Sequence, residues 1–155
     1  LGARLIINLE KLYLSLKMLN LHDANLREYY SFSHKIGIVP KDLNKLQNKL
    51  FGIECNYEEL NGIDFKKGCY VGQENTARIK LKNKLSKRLL PIDLIDGKLK
   101  EGESIYANGN EIGKVLIEND YPFALIKYLD KNFDEKLNFK TKDANLNIKK
   151  PDWIK

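Results

Sequence analysis

Short runs of β-forming residues, separated by turn-forming pairs, occupy the second half of this chain. The strongest turn signal is Asn108-Gly109, because both central residues of a type I′ turn need positive φ and these residue types adopt it readily. Several strands at this spacing predict a small antiparallel barrel or sandwich. The predicted strands are 88–94, 104–107, 111–118 and 123–129.

The first half of the chain has a different texture and predicts an α+β portion. Residues 4–9 read as a strand. Asp23 can cap a helix that ends at Gly37, and Pro40 can start a second, shorter helix. The expected fold class is therefore α+β, with an α+β portion over 1–84 and a C-terminal antiparallel β-barrel over 85–155.

Composition narrows the class of protein further. Hydrophobic residues make up 43% of the 155 residues and charged residues 31%, which favours a globular fold over a disordered tail. The apolar runs are far shorter than the roughly 20 residues of a membrane span, so no membrane association is expected. Two cysteines without a CxxC or His/Cys cluster predict no metal site and favour a reducing, cytoplasmic location. The chain begins with Leu1 rather than Met and reads as if entered within a strand, so we expect a longer protein with a further N-terminal half.

The positive charge of the chain is concentrated in one segment. The chain has 27 basic and 21 acidic residues, a net charge of +6. Residues 64–88 contain eight of the basic residues and only two acidic ones, Asp64 and Glu74, which leaves 19 of each sign elsewhere. This concentration suits an anionic partner, although a solvated surface is the alternative. The eight basic residues are Lys66, Lys67, Arg78, Lys80, Lys82, Lys84, Lys87 and Arg88.

The same segment contains the best candidate for chemistry. Gly68 and Gly72 bracket Cys69, which predicts a tight loop, and a helix is expected to begin near Gly72 or Gln73. Glu74 would then fall in the first turn, paired at i,i+4 with Arg78. A thiol next to a helix N-terminus and near Lys67 has a lowered pKa and a larger thiolate fraction. The alternative is that Cys69 is a small buried apolar residue, as we expect for Cys55.

The run Lys-Gly-Cys-Tyr-Val-Gly-Gln-Glu at 67–74 resembles the signature of the YgfZ family. These folate-binding proteins act in iron–sulfur cluster assembly and repair and are related in fold to the glycine-cleavage T-protein, an aminomethyltransferase. The resemblance extends to Leu1-Gly2-Ala3-Arg4, to 29–39 and to 86–92, which is similar to the first strand of the family's C-terminal barrel. It implies that this chain is the C-terminal portion of a T-protein-like fold.

The resemblance also implies roles for individual residues. Cys69 would be the functional thiol, and tetrahydrofolate would be the cofactor, with Tyr29 as a contact. Lys35 stands where some family members have an acidic residue that binds the pterin, which is a departure from the family pattern. The remaining site residues implied around Cys69 are Lys67, Gln73, Glu74 and Arg78, with Gly68, Tyr70 and Gly72 shaping the backbone.

The implied function is that of an accessory factor for iron–sulfur proteins, or for their assembly factors, using Cys69. Its clients would include the cluster enzymes that methylthiolate tRNA. Whether the protein is an enzyme is left open; an enzyme of this kind would be a folate-dependent one-carbon transferase. Two alternatives are an aminomethyltransferase of the T-protein type and a basic RNA-binding module that uses Lys80, Lys82 and Lys84.

Overall fold

The computed structural model of the chain describes residues 6–68, 73–81, 85–128, 133–134 and 137–154. The described residues form an α+β structure in which a helical portion precedes a closed antiparallel barrel. Among them, no helix is both long enough and apolar enough to cross a bilayer. The division expected between residues 84 and 85 stays a prediction.

Three α-helices and one 3₁₀ helix lie among the described residues of the helical portion. They are α1 (Leu9–Met18), α2 (Leu26–Lys35), the 3₁₀ helix (Leu43–Leu46) and α3 (Gln73–Leu81).

The start of α2 differs from the prediction. The cap is Asn25 rather than Asp23, because Asn25 and Glu28 form a reciprocal capping box. The predicted end is confirmed, since Gly37 follows with a φ of +76°.

The prediction of a strand over residues 4–9 is wrong for those of its residues that the structure describes. Residues 1–5 lie outside the described part of the chain, residues 6–8 are not a strand, and Leu9 begins α1. The side chain of Asn8 accepts a hydrogen bond from the backbone N–H of Glu10 at 3.1 Å, which caps the helix. An apolar run of this length does not distinguish a strand from the approach to a helix.

Within the described residues, six antiparallel strands close into a barrel, so of the two predicted architectures the barrel is confirmed and the sandwich is wrong. Around the barrel the order is β1-β4-β3-β2-β5-β6, and β6 pairs with β1 to complete the ring. The strands are β1 (Arg88–Gly97), β2 (Ser104–Ala107), β3 (Asn110–Ile117), β4 (Phe123–Ile126), β5 (Phe139–Lys140) and β6 (Ala144–Ile148).

The hairpin between β2 and β3 forms at the predicted pair. Asn108 and Gly109 have φ values of +49° and +81°, and Ala107 pairs with Asn110 across the turn. These are the left-handed conformations that a type I′ turn requires.

The barrel interior is the main core of the described chain. It is filled by buried aliphatic side chains and one phenylalanine, as expected for a barrel small enough to be filled by side chains. Its fully buried members include Leu90, Ile92, Ile105, Ile112, Val115, Ile126, Phe139 and Leu146.

A second buried cluster joins the helical portion to the outside of the barrel. Leu46 from the 3₁₀ helix packs with Leu89 of β1 and Phe123 of β4, and Cys55 lies at its edge. The indole N–H of Trp153 also donates to the Ile36 carbonyl at 2.8 Å. The helical portion is therefore anchored to the barrel by both apolar packing and hydrogen bonds.

Candidate functional site

An open cavity of about 610 Å³ is lined in part by Lys67 and Gly68, the first two residues of the 67–74 signature. Its wall combines one aromatic ring, one carboxylate, one ammonium group and one hydroxyl. This donor set can hold a ligand that has both a flat ring and charged groups. The lining residues are Gly52, Tyr57, Gly62, Ile63, Asp64, Lys67, Gly68 and Thr76.

The aromatic part of the wall is Tyr57, and two glycines make room for it. A Cβ at Gly52 would lie 3.0 Å from Cδ2 of Tyr57, and a Cβ at Gly62 would lie 3.2 Å from its Cβ. Asn56 and Asn61, on either side, have φ values of +62° and +57°. These left-handed turns fold the 52–62 segment around the tyrosine, which remains 44% exposed toward the cavity and solvent.

Helix α3 is attached to the same segment by Lys80. Its Nζ forms an ion pair with Glu58 at 2.5 Å and lies 5.5 Å from the ring centroid of Phe65. Thr76, one turn earlier, lines the cavity. One face of α3 therefore closes one side of the cavity.

The 54–59 segment is attached to the barrel by a second set of contacts. Arg88 Nη2 forms an ion pair with Glu59 at 2.6 Å, and Arg88 Nη1 donates to Asn56 Oδ1 at 2.8 Å. Asn56 Nδ2 in turn donates to the Leu89 carbonyl at 2.8 Å. Burial alone would raise the pKa of the Glu59 carboxyl, but the hydrogen bond from Arg88 and its charge outweigh burial, so this pKa lies below its usual value.

Two of the predicted site residues, Lys67 and Gly68, line the cavity. Three others, Cys69, Tyr70 and Gly72, lie outside the described residues. Their roles, including that of Cys69 as the functional thiol, stay predictions.

Among the other predicted site residues, Tyr29, Glu74 and Arg78 do not line this cavity. Gln73 is the first residue of α3, and Glu74 and Arg78 form the predicted i,i+4 ion pair on an exposed face of it. Tyr29 lies on α2, is 58% exposed, and its ring centroid is 5.9 Å from that of Tyr30.

Sequence reasoning missed Tyr57, Thr76 and the attachment by Arg88. Tyr57 carried a weak local signal, since it follows Asn56 and precedes the Asn61-Gly62 turn. Arg88 carried no local sequence signal for this role, because its partners lie about thirty residues earlier in the chain.

Cys55 has the structural role that was predicted for it. It lies at the edge of the second buried cluster and lines a smaller, mainly apolar cavity of about 190 Å³. Burial, with a smaller contribution from the charge of Glu54, raises the pKa of the Cys55 thiol to about 11. A thiol with this pKa is almost entirely protonated at neutral pH and is a poor nucleophile.

The basic character of the 64–88 segment is reduced by ion pairs. Glu58, Glu59 and Glu74 each pair with one of its cations, Lys80, Arg88 and Arg78 respectively. Lys82 and Lys84, two of the three lysines of the RNA-binding alternative, lie outside the described residues. In the part of the chain that is described, no three His, Cys, Asp or Glu side chains are grouped to hold a metal ion.

No protein-family model matches the chain. It is, however, similar over part of its length to curated proteins named iron–sulfur cluster assembly factor IBA57 or its homologue. The one from Neurospora crassa is 56% identical over 56 residues, which are 36% of this chain and 13% of that protein. The one from Dictyostelium discoideum is 29% identical over 92 residues, 59% of this chain and 22% of that protein.

The mouse protein is 34% identical over 71 residues, 46% of this chain and 20% of that protein. The chain thus matches less than a quarter of the length of each of these relatives. The names of all three include the word mitochondrial, which contradicts the cytoplasmic location expected from the cysteines. Two isolated thiols only indicated a reducing compartment and did not distinguish one such compartment from another. The chain is therefore similar, over part of its length, to proteins named as mitochondrial iron–sulfur cluster assembly factors.

Proposed function

We propose that this protein supports the assembly of iron–sulfur clusters in mitochondria, as an accessory factor for cluster-containing proteins. The observation that carries the proposal is the similarity to the IBA57 factors, which reaches 56% identity over 56 residues. The cavity lined by Lys67 and Gly68 supports it, since a small ligand or a partner's group can reach these two residues of the signature.

Within this function, Cys69 is proposed as the reactive thiol. Gly68 lines the cavity, and Cys69 is the next residue in the chain. Lys67, which also lines the cavity, is a cation of the kind that stabilises a thiolate. A single thiolate cannot hold a cluster that takes four ligands, so its contact with a cluster or with iron is transient or shared with a partner protein.

Tetrahydrofolate is the proposed ligand of the cavity. A volume of about 610 Å³ is in the range of small-molecule sites, which is roughly 300–1,000 Å³. Tyr57 can stack against a flat ring, Lys67 can bind a carboxylate, and Asp64 can accept hydrogen bonds. When bound, the folate would supply a one-carbon carrier next to the 67–74 segment.

Replacement of Cys69 at the gene's own locus tests the proposed role. Cells carrying Cys69→Ala should lose activity of mitochondrial cluster enzymes and accumulate tRNA that lacks methylthio groups. The matched control is Cys55→Ala, which removes the other cysteine of this chain and should leave both measurements close to normal.

Normal enzyme activities in the Cys69→Ala cells would refute the thiol role.

The proposed binding of folate is tested separately, by calorimetric titration of the purified protein with tetrahydrofolate. Tyr57→Ala should weaken binding by about tenfold, whereas Tyr29→Ala should not, because Tyr57 lines the cavity and Tyr29 does not. Absence of binding to the unmodified protein would refute the folate part alone.

A further inference from the structure

Three polar side chains meet where the wall of the candidate site contacts the first strand of the barrel. We define this group as the Arg88 clasp: Asn56, Glu59 and Arg88, together with the Leu89 carbonyl. Asn56 is 2% exposed, and the side chains of Arg88 and Glu59 are 13% and 21% exposed. The group is therefore shielded from solvent, where hydrogen bonds and ion pairs are stronger than at an open surface.

The clasp is geometrically specific. The Arg88 guanidinium uses one nitrogen for the Glu59 carboxylate and another for the Asn56 amide oxygen, and Asn56 uses its amide nitrogen for the Leu89 carbonyl. The Leu89 N–H donates to the Glu54 carbonyl at 2.8 Å. The first two residues of β1 therefore hold both ends of the 54–59 segment.

The two residues that the clasp holds, Asn56 and Glu59, lie on either side of two residues that contribute to the site. Tyr57 lies between Asn56 and Glu59 in sequence and lines the 610 Å³ cavity. Glu58, its neighbour, is the partner of Lys80 on α3. A displacement of the 56–59 segment therefore moves the aromatic wall of the cavity and the attachment of α3 together.

We propose that β1 positions the candidate site through the Arg88 clasp, so that Arg88, Asn56 and Glu59 are positioning residues for the cavity wall. This inference rests on the proposed function in one respect, because that function identifies the 610 Å³ cavity as the functional site. It assigns the barrel a role in the site, since its first strand sets the place of Tyr57 and of α3.

The two cysteines of this chain provide separate reporters. Cys55, Asn56, Tyr57 and Leu89 all line the 190 Å³ cavity between the segment and the barrel, so alkylation of Cys55 reports separation of the segment from β1. Gly68 lines the larger cavity and Cys69 is the next residue in the sequence, so we use the pH profile of Cys69 alkylation as the reporter of the site. Mass spectrometry of the purified full-length protein measures the alkylation of both cysteines in one experiment.

Two variants break the clasp in different ways. Arg88→Met removes the charge while keeping much of the stem. Asn56→Gly removes the amide but tolerates the φ of +62° at this position, so it adds no backbone strain. The matched control is Glu118→Gln, which breaks the 2.6 Å ion pair between Lys45 and the barrel side and touches neither cavity.

Both clasp variants should raise the alkylation rate of Cys55 by about tenfold, because a buried polar group loses its partner and the segment opens more often. They should also move the midpoint of the Cys69 profile by about half a pH unit or more. The control should change neither, and circular dichroism should show all variants folded.

Three results would overturn the proposal. The first is faster alkylation of Cys55 in the clasp variants with an unchanged Cys69 profile, which would show a structural role only. The second is an equal change of both readouts in Glu118→Gln, and the third is no change of either thiol in the clasp variants. The measurement needs no cluster assembly. A normal phenotype of Cys69→Ala cells would therefore remove the proposed function without deciding the role of the clasp.

Discussion

The two cysteines of this chain stand in contrasting sequence contexts. Cys55 lies in a stretch of core-forming residues, and Cys69 lies between two glycines and beside Lys67. The structure places Cys55 at an apolar cavity with a pKa near 11, compared with an ordinary value of 9.0. The prediction that Cys55 packs in the interior agrees with its place at the edge of the second buried cluster, where it is partly buried.

The raised pKa of Cys55 has a consequence for stability at high pH. The unfolded chain loses the thiol proton near pH 9, whereas the folded chain keeps it to about pH 11, so the folded state binds more protons in this interval. The free energy of unfolding should therefore fall as pH rises from 9 to 11, by about 1–2 kcal/mol once solvent screening of a half-buried group is considered.

Urea unfolding at several pH values measures this effect. The Cys55→Ala variant shares every other titrating group of the chain, so the difference between the two proteins isolates Cys55. Parallel stability curves for the two proteins between pH 8 and 11 would contradict the prediction.

At the scale of elements, the junction between α2 and the chain that follows it depends on one glycine. Gly37 has a φ of +76°, and a Cβ there would overlap the ring of buried Pro151. Gly37→Ala should cost about 2–4 kcal/mol, since it adds both backbone strain and overpacking. Chemical denaturation measures this loss.

The matched control is Gly109→Ala in the β2–β3 hairpin. Gly109 has a similar φ of +81°, but a Cβ there would meet no other atom within 4 Å. This variant should cost about 1–2 kcal/mol from backbone conformation alone. Equal losses for the two variants would show that contact with Pro151 contributes nothing.

Elements with strong local signals were predictable from sequence, and those that depend on distant partners were not. Asn108-Gly109 predicted its hairpin because the turn requires those residue types. Strands β5 (Phe139–Lys140) and β6 (Ala144–Ile148) were missed, since β5 has only two residues and asparagines interrupt β6. At the candidate site, the signature singled out Lys67 and Gly68 only as neighbours of Cys69, whereas the contribution of Tyr57 follows from packing against Gly52 and Gly62.

At the scale of the whole molecule, one apolar cluster makes the helical portion and the barrel depend on each other. Leu46, in the 3₁₀ helix, is 8% exposed and packs with β1, β3 and β4. Leu46→Ala should destabilise the protein by about 2–4 kcal/mol and lower hydrogen-exchange protection in β4 as well as near the substitution.

Leu43→Ala is the control, because Leu43 belongs to the same 3₁₀ helix but is 58% exposed. It should change stability by no more than about 0.5 kcal/mol. Loss of protection confined to the helical portion in Leu46→Ala would show that the two parts unfold independently.

The pairing of β1 with β6 also has a consequence for biosynthesis. β1 is complete at Gly97, but its partner over Ile92–Gly97 begins only at Ala144. While the ribosome makes the intervening residues, that half of β1 is an open edge with unpaired amides and carbonyls, the kind of surface that captures other nascent chains. Ring closure therefore follows translation of β6, and this interval is where a chaperone would protect the newborn polypeptide.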